Sequence, residues 1–255
     1  MEVHHHPHVE KKNFKEYFLE FLMIFLAVTL GFFAENIREF ISERGKENID
    51  IQSISRNLLK DSATIFYQIE NNKSEINAID SLMDLIKSGR YKSEPEMLYR
   101  FAYSTRGFQA FDYSNVTYEE MKNSASFNLI RNYDVRSDLM NYNNFIVNSI
   151  GNLESRMFQT EANQANLQSE ILYDSFYPPV DSIINQHALR SHFYKKENRS
   201  ISFSPEKVGQ FSKLYNLLFE RDVITNYYQL NLEKLKDLNG HLLTEINKEY
   251  HLKSE

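Results

Sequence analysis

Two carboxylates bracket the most apolar stretch of this chain, and four imidazoles lie just ahead of it. Between Glu20 and Glu35, the run Phe21 to Ala34 has Thr29 as its only conventional polar side chain. An acid at the edge of hydrocarbon is costly, so it marks an ion path, a helix–helix contact or a snorkelling position near headgroups. His4, His5, His6 and His8 could ligate Zn, Cu or Ni through neutral imidazole. The alternatives are a tail that takes up metal opportunistically and a docking tail. His187 and His192 lie five apart and share no helix face, which disfavours a metal pair. The sequence holds no HExxH, nucleophile elbow, P-loop or glycine-rich dinucleotide turn. It reads as non-catalytic, and nothing in it calls for a cofactor.

The element that positions Glu20 and Glu35 is a helix over residues 17–37. Fourteen apolar residues are short for a membrane span, but the apolar character extends through Tyr17 and Phe18 and out to Ile37. At about 1.5 Å per residue this stretch reaches about 31 Å, the thickness of a hydrocarbon core. On a helical wheel Glu20, Ile24, Ala27, Gly31, Ala34 and Glu35 share one side with Arg38, while Leu22, Phe25, Leu26, Phe32 and Phe33 oppose them. Small residues at three- and four-residue spacing let helix backbones approach, so the small, acidic face is expected to meet a second helix, in a homo-oligomer or a membrane-protein partner. Thr29 can bond a carbonyl one turn back.

No A-x-A-type cleavage site ends the run, which makes it an uncleaved signal anchor. Lys11, Lys12 and Lys15 precede it, and Arg38, Arg44 and Lys46 follow. The tighter N-terminal cluster favours residues 1–16 as a cytoplasmic tail, with 38–255 outside the cytoplasm. That assignment puts the chain in a bacterial inner membrane with its bulk periplasmic.

Over 255 residues the chain is 42% hydrophobic and 25% charged, enough for one sizeable core or two small ones beyond the anchor. A net charge of −6 argues against a nucleic-acid binder. With 7 Gly and 5 Pro, long helices are favoured over strands and tight turns, and the absence of Cys excludes disulfides.

Apolar residues from Ile51 to Ile86 recur at helical steps and predict a helix over about 46–88, closed by Gly89. Asp61 and Asn72 soften that stripe, as a partly exposed flank or a polar inter-helix contact. Ser93 with Glu96, and Thr117 with Glu120, have capping-box spacing and open two short helices. Residues 90–132 then read as a cap of short helices. Its aromatic residues Phe108, Phe111, Tyr113 and Tyr118 either fill the end of a bundle or form a partner or ligand surface. A second long helix is expected over 133–175, where Ala162 and Ala165 would admit a close neighbour. A short helix follows in 180–203, and a third long one opens at Ser204-Pro205-Glu206.

The fold class is therefore all-α: one N-terminal transmembrane helix, then an elongated bundle of three long helices with a short-helix cap. The expected path goes up, down and up, with 90–132 at the far end and 176–204 near the bilayer.

Two stretches resemble a family of uncharacterised bacterial single-pass membrane proteins. The first is MEVHHHPHVEKKNFKEYFLEFLMIFLAVTLGFFAENIRE, with its His-rich tail, basic stretch and Gly-Phe-x-Ala-Glu ending. The second, TYEEMKNSASFNLIRNYDVRSDLMNY, is similar to a TYxxLKxSGxxxLIRxxxxxxxLxxYY element of their extracytoplasmic helical regions. It matches at Thr117, Tyr118, Lys122, Ser124, Leu129, Ile130, Arg131, Leu139 and Tyr142. It departs at Met121, at Asn143 and at Ala125, where the pattern has Gly and a left-handed turn would be easier. The resemblance implies location and fold, and carries no activity. The leading expectation is a membrane-anchored scaffold or regulatory interaction protein of an envelope complex. The alternatives are an ion-coupled subunit using the intramembrane Glu20 and a helical-bundle ligand sensor.

Overall fold

The computed structural model describes residues 13–172 and 203–252, and among these the chain is all-α, with no strand. Residues up to Ile51 form one compact unit, and residues from Gln52 onward form another.

A single helix, α1 (Phe14–Lys87), forms the described part of the first unit and opens the second. The separate start expected near residue 46 is absent. Gly45 stays helical, because one interior glycine costs only about 0.5–1 kcal/mol and its φ is not left-handed. The pairs Arg38–Glu35 and Arg44–Glu47, each three residues apart, also support the helix there. In the first unit the bulky side chains point outward, Phe21 at 64% and Phe32 at 68% exposure. Among the described residues this is the one helix long and apolar enough to cross a membrane, and none of its most apolar window is buried.

In the second unit α1 ends at Gly89, whose φ of 73° suits a left-handed close. A 3₁₀ turn (Arg90–Lys92), α2 (Pro95–Ser104) and α3 (Val116–Asn123) follow. Neither expected capping box forms. The cap position of α2 falls on Glu94, and the Ser93 hydroxyl donates to the Arg90 carbonyl of the preceding 3₁₀ turn instead. Thr117 lies inside α3, and its hydroxyl accepts from Asn57 Nδ2 at 3.0 Å. Ala125 occupies the left-handed region at φ 56°, so the turn forms without glycine.

The second long helix is broken into α4 (Tyr133–Phe145), a π-helical turn (Ile146–Ile150) and α5 (Gly151–Ile171), ending four residues short of the expected boundary. Buried positions 135, 139, 142, 146 and 150 include two successive four-residue steps. Each such step drifts by about 40° on an α-helix, and the wider turn absorbs the drift. Asn132 caps α4 by accepting from Val135 N at 3.1 Å. The last helix, α6 (Pro205–Tyr250), is capped by Ser204, as its sequence predicts.

The path of the chain differs from the expected one. Tyr142 meets Asp61, and Arg221 joins Glu75 to Gln164, so α4–α5 runs in the same direction as α1. Helix α6 runs opposite to both, with Thr225 beside Asn72 and Asn239 beside Leu58. Two parallel helices need a return crossing, and residues 90–132 supply it. Only its first part caps the bundle: Leu98, Tyr99 and Ala102 join Leu82 and Leu85 of α1 and Leu214 and Leu218 of α6 in one apolar cluster. Residues 106–115 are non-helical and strap back along the bundle. Leu172 and Phe203 both lie with this cluster, at the Lys87 end of α1, away from the end where the expected path put residues 176–204. The short helix expected within 180–203 lies outside the described residues.

Candidate functional site

Three groups of side chains could carry function, and sequence reasoning singled out two of them. The first is the face of α1 expected to meet another helix. Ile24, Ala27, Gly31, Ala34 and Glu35 are exposed, and Glu20 is partly exposed. A Cβ added at Gly31 meets nothing within this chain. Thr29 donates to the Phe25 carbonyl at 2.7 Å, and Glu35 accepts from Arg38 Nε at 3.0 Å. The imidazoles His4, His5, His6 and His8 lie outside the described residues.

The second group is the aromatic segment, and here the packing reading prevails over the surface one for its main members. Phe111 and Tyr118 are buried, at 6% and 8% exposure. Phe108 packs edge-on to Tyr228 and Phe158, Tyr113 stacks on Phe111, and Tyr118 meets Phe127. The rings of Phe108, Phe111 and Tyr113 belong to the strap, and Phe108 ties it to Tyr228 and Phe158.

The strap's backbone has no helix or sheet to satisfy it, and side chains take that role. Glu161 accepts from Gly107 N and from Phe108 N, the latter at 3.0 Å. Glu154 accepts from Phe111 N at 2.7 Å, and Asp61 from Ser114 N at 2.9 Å. Gln68 donates to the carbonyls of Gln109 and Ala110. Of the two readings of Asp61, a partly exposed flank or a polar inter-helix contact, the second holds: Asp61 is buried and also accepts from Tyr142 Oη of α4 at 3.0 Å.

The third group, missed in the sequence, is a polar interior. Arg221 is wholly buried; it reaches Glu75 through Nε at 3.0 Å and Gln164 through Nη1 at 2.8 Å. Gln164 and Gln168 donate to Thr105, and Arg106 Nε donates to Gln168 at 2.8 Å. The glutamine side of α5 thus faces inward, whereas Ala162, expected to admit a neighbour, is exposed. Asn239 donates to the Leu58 carbonyl at 3.1 Å and to Tyr142. Burial pushes the carboxyls of Asp61, Glu75 and Glu154 above their ordinary range, against the pull of their hydrogen-bond donors. Tyr142 and Tyr228 are raised by burial too, each with a carboxylate at its hydroxyl.

The sequence signal for this interior is the heptad. On α6 the positions 211, 214, 218, 221, 225, 228, 232, 235, 239, 242 and 246 step by three and four throughout, and all are buried. Arg221, Thr225 and Asn239 occupy core positions that an apolar-only count skips. On α1, Asp61, Gln68, Asn72 and Glu75 fill the same kind of gap.

Beside this interior lies a half-open cleft of about 550 Å³, between α1, the end of α2, the start of the strap and Tyr228. Its volume falls within the range of about 300–1,000 Å³ usual for small-molecule sites. No protein-family model, no curated protein and no solved structure matches the chain.

Proposed function

We propose that this chain is a membrane-anchored scaffold or regulatory interaction protein of a bacterial envelope complex. The observation that carries the reading is the exposed apolar surface of α1: Phe14 to Ile41 present large apolar side chains outward, and none of the most apolar window is buried. Water does not tolerate a patch of that size, whereas a bilayer requires it. The face of Ala27 and Gly31 suits a second helix, from another copy or a membrane-protein partner. The buried ionisable groups of the second unit are bonded to one another and to the strap, as befits a rigid body. In this reading residues 1–16 face the cytoplasm and residues 38–255 the periplasm, across the inner membrane.

The test is purification of the intact protein from native membranes in mild detergent, with mass determination of whatever travels with it. A discrete oligomer or a stable membrane partner is expected, and Gly31→Leu should dissociate it. A clean monomer overturns the reading. Glu20→Gln should leave assembly intact; loss of a membrane-potential-dependent phenotype with assembly preserved would transfer the case to an ion-coupled subunit.

A further inference from the structure

We propose that the cleft between α1 and the strap binds a neutral saccharide of disaccharide size. The observation behind this is a division on the surface of α1. Over residues 67–84, the exposed positions that line the cleft are Tyr67, Asn71, Ser74 and Asn77, and none is charged. The exposed positions that do not line it are Glu70, Lys73, Asp80 and Asp84, and all are charged. One helix in one solvent has no cause to sort its surface in this way if the cleft holds only water.

The open hydrogen-bonding capacity of the cleft is of one kind. The amides of Asn71, Asn77 and Gln109 and the hydroxyl of Tyr67 have no protein partner among the described residues, and each can both donate and accept. Sugar hydroxyls do the same, so these groups pair with them whichever way each O–H is turned. Ser74 and Ser104 donate to the carbonyls of Glu70 and Arg100, which leaves their oxygens as acceptors. Rings lie among these groups: Tyr67 is 56% exposed, and Phe101 and Phe108 are partly so. The negative face of an aromatic ring attracts the partly positive C–H bonds on the flat side of a pyranose.

Other ligand classes match the lining less well. Of its charged groups, Glu75 already pairs with Arg221, and Arg106 donates to Gln168. Among the described residues Arg100 is the one exposed cation in the lining, too little charge for a phosphorylated ligand. An apolar ligand would cover the amides without pairing them. The cleft volume of about 550 Å³ suits a drug-sized ligand, and a disaccharide is of that size. The site goes beyond the scaffold reading and uses no residue of the membrane-facing stretch, so either can fail alone.

The test applies the intact protein, in micelles of an amine-oxide detergent without a sugar headgroup, to an array of neutral and acidic oligosaccharides. At least one neutral glycan should bind, and isothermal calorimetry with it should give a dissociation constant below about 1 mM. Asn71→Ala with Asn77→Ala, exposed changes that raise helix propensity, should weaken that glycan about tenfold without lowering the melting temperature. Tyr67→Ala should weaken it by a similar factor. Glu70→Ala and Lys73→Ala, on the same helix but outside the cleft, should leave binding unchanged, as should Arg100→Gln. The proposal is overturned if no neutral glycan binds on the array or at about 10 mM in calorimetry. It is equally overturned if the double asparagine variant binds as tightly as the native chain, or if only acidic glycans bind and Arg100→Gln abolishes their binding.

Discussion

The two units of this molecule are patterned in opposite senses. From Phe14 to Ile41 large apolar side chains face outward with little among them that can bond. From Gln52 on, Asp61, Asn72, Gln164, Gln168, Arg221 and Asn239 face inward. The same helix, α1, carries both patterns. The difference shows that inside and outside are set by the solvent each surface meets. An apolar exterior needs only a matching medium, whereas a polar interior needs each donor matched to an acceptor, one by one. The first unit should therefore tolerate changes of shape, and the second should not tolerate the loss of a partner.

The largest effect is expected at Arg221. Arg221→Met leaves Glu75 and Gln164 without their buried partner and should cost about 3–5 kcal/mol in chemical denaturation. Adding Glu75→Leu to it should recover a substantial part, since removing both charges costs less than stranding one. If the double change is no better than the single one, the interior is held by packing and not by pairing.

Acidity is the next lever. Because Asp61, Glu75 and Glu154 have folded-state pKa values raised by burial, the folded chain binds protons more readily than the unfolded one. Their linked contribution is fully present below the ordinary carboxylate range and is lost as pH rises through the raised values. Thermal stability should therefore climb as pH falls from neutral toward that range, and Asp61→Asn with Glu154→Gln should flatten the rise. A melting temperature that falls on mild acidification would contradict the role of these three groups.

A smaller gain is expected at Ala125, where a residue with a Cβ sits at φ 56°. Ala125→Gly should stabilise the second unit by about 0.5–1 kcal/mol, read from the denaturation midpoint. The smallest effect belongs to the first unit: Phe32→Leu should leave the unfolding of the bundle within about 0.5 kcal/mol and leave any oligomer intact, in contrast to Gly31→Leu. A large effect from Phe32→Leu would mean that the bulky face is the one that meets a partner.

Much of this architecture was legible without coordinates. The apolar run, the scarcity of Gly and Pro, and the apolar periodicity after residue 46 determine an all-α chain with one helix apolar enough for a bilayer. Ser204, Gly89 and the start at Tyr133 were legible because their signals are local. The heptads of α1 and α6 were present too, hidden by a count that excluded polar residues.

What only the tertiary structure decided is where the polar residues go and which way the helices run. Ser93 and Thr117 have the spacing of caps, yet a preceding turn and a distant asparagine take them elsewhere. Helix direction depends on where 106–115 lies, and nothing local in that segment reveals that it will be clasped by Asp61, Glu154 and Glu161. A sequence states which groups need partners over a turn or two of helix. Contacts such as Arg221 with Glu75, 146 residues apart, exist only once the chain has closed on itself.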